Sequence, residues 1–213
     1  MEKDIKTDSV FDHIYKGIKD GLIKSGETLS ERGLASELNV SRTPVREALR
    51  RLENYGLVEP EPHKGVKVIS FSEEKVKQLY QVREVLEGLG AKLLAEKANP
   101  KDIERLEMLL AEAEKAAKNN DIDLLRNINS QFHIEIASST NNLYLINTMQ
   151  TLQSHISVCM GTSLKVTGRP LENIEEHHLI LDAIKRGEPD FAEAVTKYHV
   201  RKSMENVLKN LEI

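Results

Sequence analysis

Residues 41–57 carry the clearest hydrophobic pattern of the chain. Apolar side chains recur there with the spacing that buries one face of a helix, at Val45, Ala48, Leu49, Leu52 and Tyr55. Ser41 precedes this stripe as a candidate N-cap, Pro44 suits the first helical turn, and Gly56 follows as a candidate C-terminal cap. The pattern predicts a helix bounded by these residues.

The neighbouring segments predict two more helices and a hairpin. Apolar residues between Val10 and Ile23 indicate an amphipathic helix that ends near residues 21–26, and Ser30 can cap a short helix at Glu31–Leu38. After Gly56, two short strands joined by a turn at Lys64–Gly65 predict a small β wing, whose prolines restrict it to a sheet edge. Together these elements predict a winged helix-turn-helix.

From residue 73 onwards the pattern keeps a helical period to the end of the chain. A short linker precedes it, with Ser72 as a candidate cap. The predicted helices cover residues 73–98, 100–118, 122–138, 143–160, 171–185 and 190–210, with a loop at 161–170. Six helices with short connections predict an antiparallel bundle. The expected fold is therefore mainly α, with a winged helix-turn-helix domain at residues 1–71 and an all-helical domain at residues 72–213.

Composition narrows the possible partners. The net charge of −4 argues against a uniformly basic nucleic-acid coat, so any attraction to DNA must come from a local patch. Cys159 is the only cysteine, so an internal disulfide is excluded, which fits the reducing cytoplasm. We expect its side chain to be buried in the core. The polar start predicts no signal peptide, and no apolar run approaches the ~20 residues that cross a bilayer.

Such a patch lies on the helix at residues 41–57. Arg42, Arg46 and Arg50 recur every four residues on a face apart from the apolar stripe, with Thr43 beside them. Guanidinium groups suit phosphate oxygens and guanine edges, although an isolated stripe of this kind is more often a solvated face. Its place in a helix-turn-helix favours major-groove binding. The wing tip adds three candidate DNA contacts, His63, Lys64 and Lys67, with a plain solvated hairpin as the alternative.

The run GETLSERGLASELNVSRTPVREALRRLENYGLVEPEPHKGVKV resembles the winged helix-turn-helix of GntR-type transcriptional regulators. The resemblance implies double-stranded DNA as partner, a palindromic operator and a homodimer. It implies that the DNA-contacting residues include Arg32, Ser41, Arg42, Thr43 and Arg46, and that Gly65 lets the wing backbone approach the groove. Gly33 departs from the family pattern, at a cost of about 1 kcal/mol relative to Ala in a helix.

Three histidines fall on three different helices of the predicted bundle. His133, His177 and His199 each lie at the edge of an apolar stripe, and Asn129 shares a face with His133. Imidazoles on inward faces could converge on a divalent metal such as zinc, nickel, iron or copper. The alternative is three hydrogen-bonded core histidines, since no short-spaced ligand motif is present.

The runs VREVLEGLGAKLLAEKA, NSQFHIEIASSTNN and EEHHLILDAIKRGEPDFAEAVTKYHVRKS resemble the FCD ligand-binding domain of the FadR-like GntR regulators. The resemblance implies four metal ligands, Asn129, His133, His177 and His199, with zinc as the first candidate. Asp is commoner than Asn at the first position, and a neutral amide is a weaker ligand for a dication. His178 points about 100° away around its helix and is not expected to be a ligand.

The resemblance also implies a small carboxylate effector at the metal, with Arg83, Glu87 and His155 as candidate binding residues. The alternative for Arg83 is an i,i+4 ion pair with Glu87, and for His155 a partly exposed position on its helix. We expect a repressor, not an enzyme, that the effector releases from its operator. Two other functions stay open: a regulator with an apolar or acyl effector and no metal, and a metalloenzyme-like bundle fused to a DNA-binding module.

Overall fold

The computed structural model describes residues 2–163 and 169–209, with side chains described for residues 7–157 and 171–209. The chain forms two compact units, Met1–Phe71 and Ser72–Ile213, the same division that the sequence predicts. The first unit contains α1 (Glu2–Lys19), β1 (Thr28–Leu29), α2 (Glu31–Glu37), α3 (Arg42–Asn54), β2 (Val58–Glu61) and β3 (Gly65–Val68). The second contains α4 (Glu73–Ala95), α5 (Pro100–Lys118), α6 (Ile122–Ser139), α7 (Leu143–Ser163), α8 (Arg169–Lys185) and α9 (Pro189–Lys209). The mainly α fold with a small wing is confirmed.

The core of the first unit forms where α1 packs on α3. Ile14 and Val45 are fully buried there, as the helical period predicts. Tyr55 was expected in the same stripe but is 38% exposed, because α3 ends at Asn54 and Tyr55 is its cap. The first helix also ends earlier than predicted: Gly21 has a positive φ of 74°, which ends the helical path and leaves Leu22 exposed.

Capping follows the sequence at one helix and departs from it at the next. The Ser30 side chain accepts a hydrogen bond from the Gly33 backbone N–H at 3.0 Å and so closes the first turn of α2. Ser41 occupies the N-cap position of α3, but its side chain makes no capping hydrogen bond with the described residues. Ser41 therefore lies where the sequence predicts the cap, but the expected capping hydrogen bond is not made. The Ser41 residue stays exposed at the start of α3.

The wing is a three-stranded sheet, one strand more than predicted. The strand order is β1-β3-β2, and both pairings are antiparallel. Pro60 lies on the edge strand β2, where its missing N–H breaks no ladder. Gly65 begins β3 with φ of 121°, and a Cβ at this position would lie 2.3 Å from the Leu29 carbonyl oxygen. Only glycine therefore allows β3 to lie this close to β1.

The second unit is a bundle of the six predicted helices, in which Ser72, Asn99 and Asp121 cap the starts of α4, α5 and α6. Its centre is an apolar cluster contributed by α4, α5, α6, α8 and α9. The predicted loop at residues 161–170 is too long, because α7 continues to Ser163 and α8 already begins at Arg169. Residues 164–168 and the side chain of Cys159 lie outside the described residues.

None of the helices, over the residues searched, combines the length and apolarity that crossing a membrane requires.

Gly65→Ala should destabilise the wing, because the new Cβ meets both an unfavourable positive φ and the Leu29 carbonyl. We expect a loss of about 2–3 kcal/mol in the free energy of unfolding of the first unit, measured by chemical denaturation. Gly21→Ala is the matched control, since Gly21 also has a positive φ but no atom within 4 Å of the added Cβ. Equal losses in the two variants would show that the close approach to Leu29 costs nothing.

Candidate nucleic-acid interface and metal centre

The candidate recognition surface of the first unit is the exposed face of α3. The side chains of Arg42 and Arg46 are 63% and 50% exposed, and Thr43 and Arg50 are exposed beside them. The opposite face of the helix is buried in the core. The amphipathic pattern thus fixes which side of α3 can meet a ligand.

Predicted DNA-contacting residues of α2, α3 and the wing line one open cleft. Arg32 enters it from α2, Arg42, Arg46 and Arg50 from α3, and His63, Lys64 and Gly65 from the wing. Five cationic side chains and one histidine therefore face a common concave surface. Phosphate oxygens and base edges are the chemical groups that such a surface would bind.

One carboxylate lies among these arginines, and the sequence reasoning did not single it out. Glu31 accepts hydrogen bonds from Arg46 Nε at 2.8 Å and from Arg46 Nη2 at 3.0 Å, and Arg42 Nη2 donates to it at 3.0 Å. The hydrogen bonds from Arg46 are the main cause that lowers the pKa of Glu31 to about 2, so the carboxylate is charged at neutral pH.

Arg51 follows Arg50 directly in the sequence but contacts α1. Its guanidinium pairs with Asp8 of α1 and lies 4.2 Å from the centre of the Phe11 ring. This cation–π contact and ion pair attach α1 to α3. Arg51 therefore helps to hold α3 against α1.

The three predicted histidine ligands meet inside the second unit. His133 of α6, His177 of α8 and His199 of α9 are all buried, and one ring nitrogen of each lies within 4.8 Å of the others. The Nε2 atoms of His133 and His177 are 3.2 Å apart. Phe132 stacks on His177 with ring centres 4.4 Å apart, which closes one side of the cluster with an apolar surface.

A carboxylate lies close to the outer nitrogen of two of these imidazoles, and at His199 it makes a hydrogen bond. Glu87 Oε2 lies 2.9 Å from His133 Nδ1, and Glu176 Oε2 lies 2.6 Å from His199 Nδ1. A carboxylate that is hydrogen-bonded to Nδ1, as Glu176 is to His199, fixes the orientation of an imidazole and directs Nε2 towards the centre. The role of Glu176 was not predicted, because its pairing with His199 depends on how α8 packs against α9.

Arg83 forms the predicted alternative, an ion pair with Glu87. Its Nε donates to Glu87 Oε1 at 2.6 Å, and the guanidinium is fully buried. Burial raises the pKa of Glu87, but Arg83 and His133 lower it more, so the pKa lies well below its usual range. In this conformation Arg83 is bound by Glu87.

The other predicted site residues lie in the same unit. Asn129 is buried one turn before His133 on α6, and His155 is half-buried on α7 with its Nδ1 atom inside the protein. One small pocket, lined by Glu87, His133, Met149 and Thr196 among others, has no room for a water molecule in the part of the chain that the structure describes, and neither His177 nor His199 lines it. His178 is exposed and bonds Glu114 at 2.9 Å, away from the cluster, as expected.

Two family profiles match the chain. Residues 6–68 match the bacterial regulatory proteins of the gntR family, and residues 78–202 match the FCD domain. The chain belongs to the GntR family and has an FCD domain. The winged unit is thus the GntR DNA-binding domain, and the helical bundle is the FCD domain.

Similar GntR proteins span most of the chain. LutR of Bacillus subtilis (strain 168), an HTH-type transcriptional regulator, is 32% identical over 216 residues, covering 90% of this chain and 95% of LutR. The gluconate operon transcriptional repressor of Bacillus licheniformis is 32% identical over 178 residues, covering 81% of this chain and 73% of the repressor. These relatives confirm the prediction of a transcriptional regulator and not an enzyme.

Solved structures show the same fold. Escherichia coli McbR/YncC superposes with a TM-score of 0.81 at 24% identity, covering 96% of this chain and 97% of that one. A putative GntR regulator from Rhodococcus sp. RHA1 gives 0.78 at 25% identity, covering 95% and 97%. The fold of this chain is therefore shared with these proteins.

Arg46→Ala should weaken binding to a preferred duplex and relax the base preference, because it removes the guanidinium at the centre of the recognition face. We expect a loss of about 1–3 kcal/mol, measured by fluorescence anisotropy on a duplex that the wild type selects from a random library. Arg186→Ala, an exposed arginine of the FCD domain, is the control. Unchanged affinity of Arg46→Ala would exclude Arg46 from the interface.

Proposed function

We propose that this GntR regulator is a repressor whose operator binding responds to a small carboxylate effector at a metal centre in the FCD domain. The observation that carries the proposal is the buried cluster of His133, His177 and His199. Repression is the activity named for two kinds of similar protein, the gluconate operon repressors and a probable D-xylose operon repressor.

The geometry of the cluster suits zinc or a similar ion. Zinc binds imidazole nitrogen at about 2.0–2.1 Å, so two ligands of a tetrahedral site lie about 3.3 Å apart. His133 Nε2 and His177 Nε2 are 3.2 Å apart, close to that edge. Three neutral imidazoles of borderline softness also accept nickel, iron or copper.

The surroundings of the cluster favour metal over a purely structural role. Glu87 and Glu176 occupy the Nδ1 side of two imidazoles, the arrangement that raises the basicity of ligand histidines. Asn129, on the same face of α6 as His133, is the nearest candidate in sequence for a fourth ligand. A bound divalent ion would supply a positive charge with coordination positions that an anionic oxygen can fill.

A carboxylate effector fits this chemistry. Gluconate, which appears in the names of two relatives, is a hydroxy acid and represents the class that we propose. The effector and the operator would be coupled through their differential affinity for two states of the protein, and this coupling is reciprocal. The effector should therefore bind more weakly when operator DNA is present.

We further propose a homodimer on a two-fold operator, and one face of α4 supports it. Val82, Val85 and Leu89 recur at helical spacing on this face, and all three are exposed, at 48%, 59% and 37%. A two-fold protein matches two half-sites of a palindrome, as in other helix-turn-helix dimers. Because the operator lies on the chromosome, the cytoplasm is the proposed location.

His133→Ala should lose the metal and lower the melting temperature of the FCD domain, because it removes one of three converging imidazoles. Elemental analysis of untagged protein should give about one metal per chain for the wild type and less than about a tenth for the variant. His178→Ala, which removes the exposed neighbour of His177, should retain the metal. Stoichiometric metal in His133→Ala, or none in the wild type, would refute the metal centre.

The same preparations test the effector class. Addition of gluconate, with D-xylose at equal concentration as the uncharged control, should release wild-type protein from its selected duplex but leave His133→Ala bound. Release by D-xylose alone would contradict a carboxylate effector.

Val85→Glu should convert the dimer to a monomer, because it places a charge in the centre of the proposed apolar contact. We expect dissociation in sedimentation velocity and operator affinity reduced by roughly tenfold or more. Met108→Glu is the control, since Met108 of α5 is 66% exposed and lies outside this face. A dimer that persists in Val85→Glu would place the interface elsewhere.

A further inference from the structure

Glu31 is the one acidic side chain of the DNA-facing cleft that bonds both Arg42 and Arg46 among the described residues. It occupies the first position of α2, just after the cap residue Ser30. Its backbone is therefore held by the start of one helix while its carboxylate reaches the next. This position links the geometry of α2 directly to the guanidinium groups of α3.

The contact with Arg46 uses a specific edge of the guanidinium. Nε and Nη2, the two donors on the side of the group, bond the two carboxylate oxygens at 2.8 Å and 3.0 Å. The end of the group, formed by Nη1 and the second hydrogen of Nη2, is not used by Glu31. The two parallel N–H donors at this end of the guanidinium match the O6 and N7 acceptors of guanine.

The carboxylate also changes the charge of the cleft. A negative group beside two arginines reduces the attraction for phosphates, which is the sequence-independent part of DNA binding. Preorganising Arg46 reduces the side-chain freedom that binding must remove, which favours the base contact. Both effects act in the same direction, towards a larger ratio of specific to non-specific affinity.

We propose that Glu31 is a specificity-determining positioning residue, which holds the side edge of Arg46 so that its end edge reads a base and which suppresses binding to unrelated duplexes. The proposal rests on DNA binding by the winged unit. Glu31 would contact Arg42 and Arg46 and would change the base preference through these two arginines.

Two variants of Glu31 separate charge from geometry. Glu31→Gln removes the charge, while Glu31→Asp keeps it but shortens the reach to Arg46. Glu53→Gln is the matched control, because Glu53 lines the same cleft without an ion pair to Arg42 or Arg46 in the described structure. Each protein is tested as the full chain against the duplex selected by the wild type and a scrambled duplex of the same composition, over a range of salt concentrations.

For Glu31→Gln we expect tighter binding to the scrambled duplex and an operator-to-scrambled ratio that falls by about tenfold. Glu31→Asp should lower the ratio without tightening the scrambled complex. Repeated selection from the random library should show relaxed preference at the same base position in Glu31→Gln and in Arg46→Ala. Melting temperatures close to that of the wild type identify these changes as effects on recognition.

An equal increase in affinity for the selected and the scrambled duplex, in both Glu31→Gln and Glu53→Gln, would overturn the proposal. Glu31 would then act only as one more negative charge in the cleft. An unchanged ratio in both Glu31 variants would overturn it as well. These results differ from a failure of the DNA-binding function itself, in which the wild type would select no preferred sequence at all.

Discussion

The FCD domain depends on a buried charge, the carboxylate of Glu87. It is shared between Arg83 on its own helix and His133 across the bundle. Removal of charges from water is costly, and a buried pair persists only when each charge is well compensated. Because the carboxylate must satisfy both partners, the packing of α4 on α6 and the orientation of a candidate metal ligand are set by the same group.

A similar arrangement at the protein surface has a different energetic character. Glu31 also joins cationic side chains from another helix, but Arg42 and Arg46 are largely exposed to solvent. Exposed ion pairs are screened by salt and contribute little to folding, whereas buried ones are not easily exchanged. The end edge of Arg46 would therefore stay open to a phosphate or base while Glu31 holds the side edge, whereas Arg83 is enclosed with Glu87.

Much of this protein is readable from its sequence because its helices are strongly periodic and its histidines lie at fixed points on them. The period placed His133, His177 and His199 on inward faces, and the structure brings them together. Pairings across helices could not be read in this way, since the Glu176–His199 contact depends on the packing of α8 and α9. The two-residue strand β1 is also too short to leave a pattern, and its pairing with β3 comes from tertiary structure.

The close approach of Gly65 to Leu29 has a mechanical consequence. The wing is hydrogen-bonded to the strand that leads directly into α2, so the tip residues and the helix-turn-helix are parts of one braced frame. Bending the wing outward would break that ladder. A duplex bound by both the wing and α3 would have to adapt its groove width to this frame, and the energy needed to deform the DNA would then contribute to the choice of site.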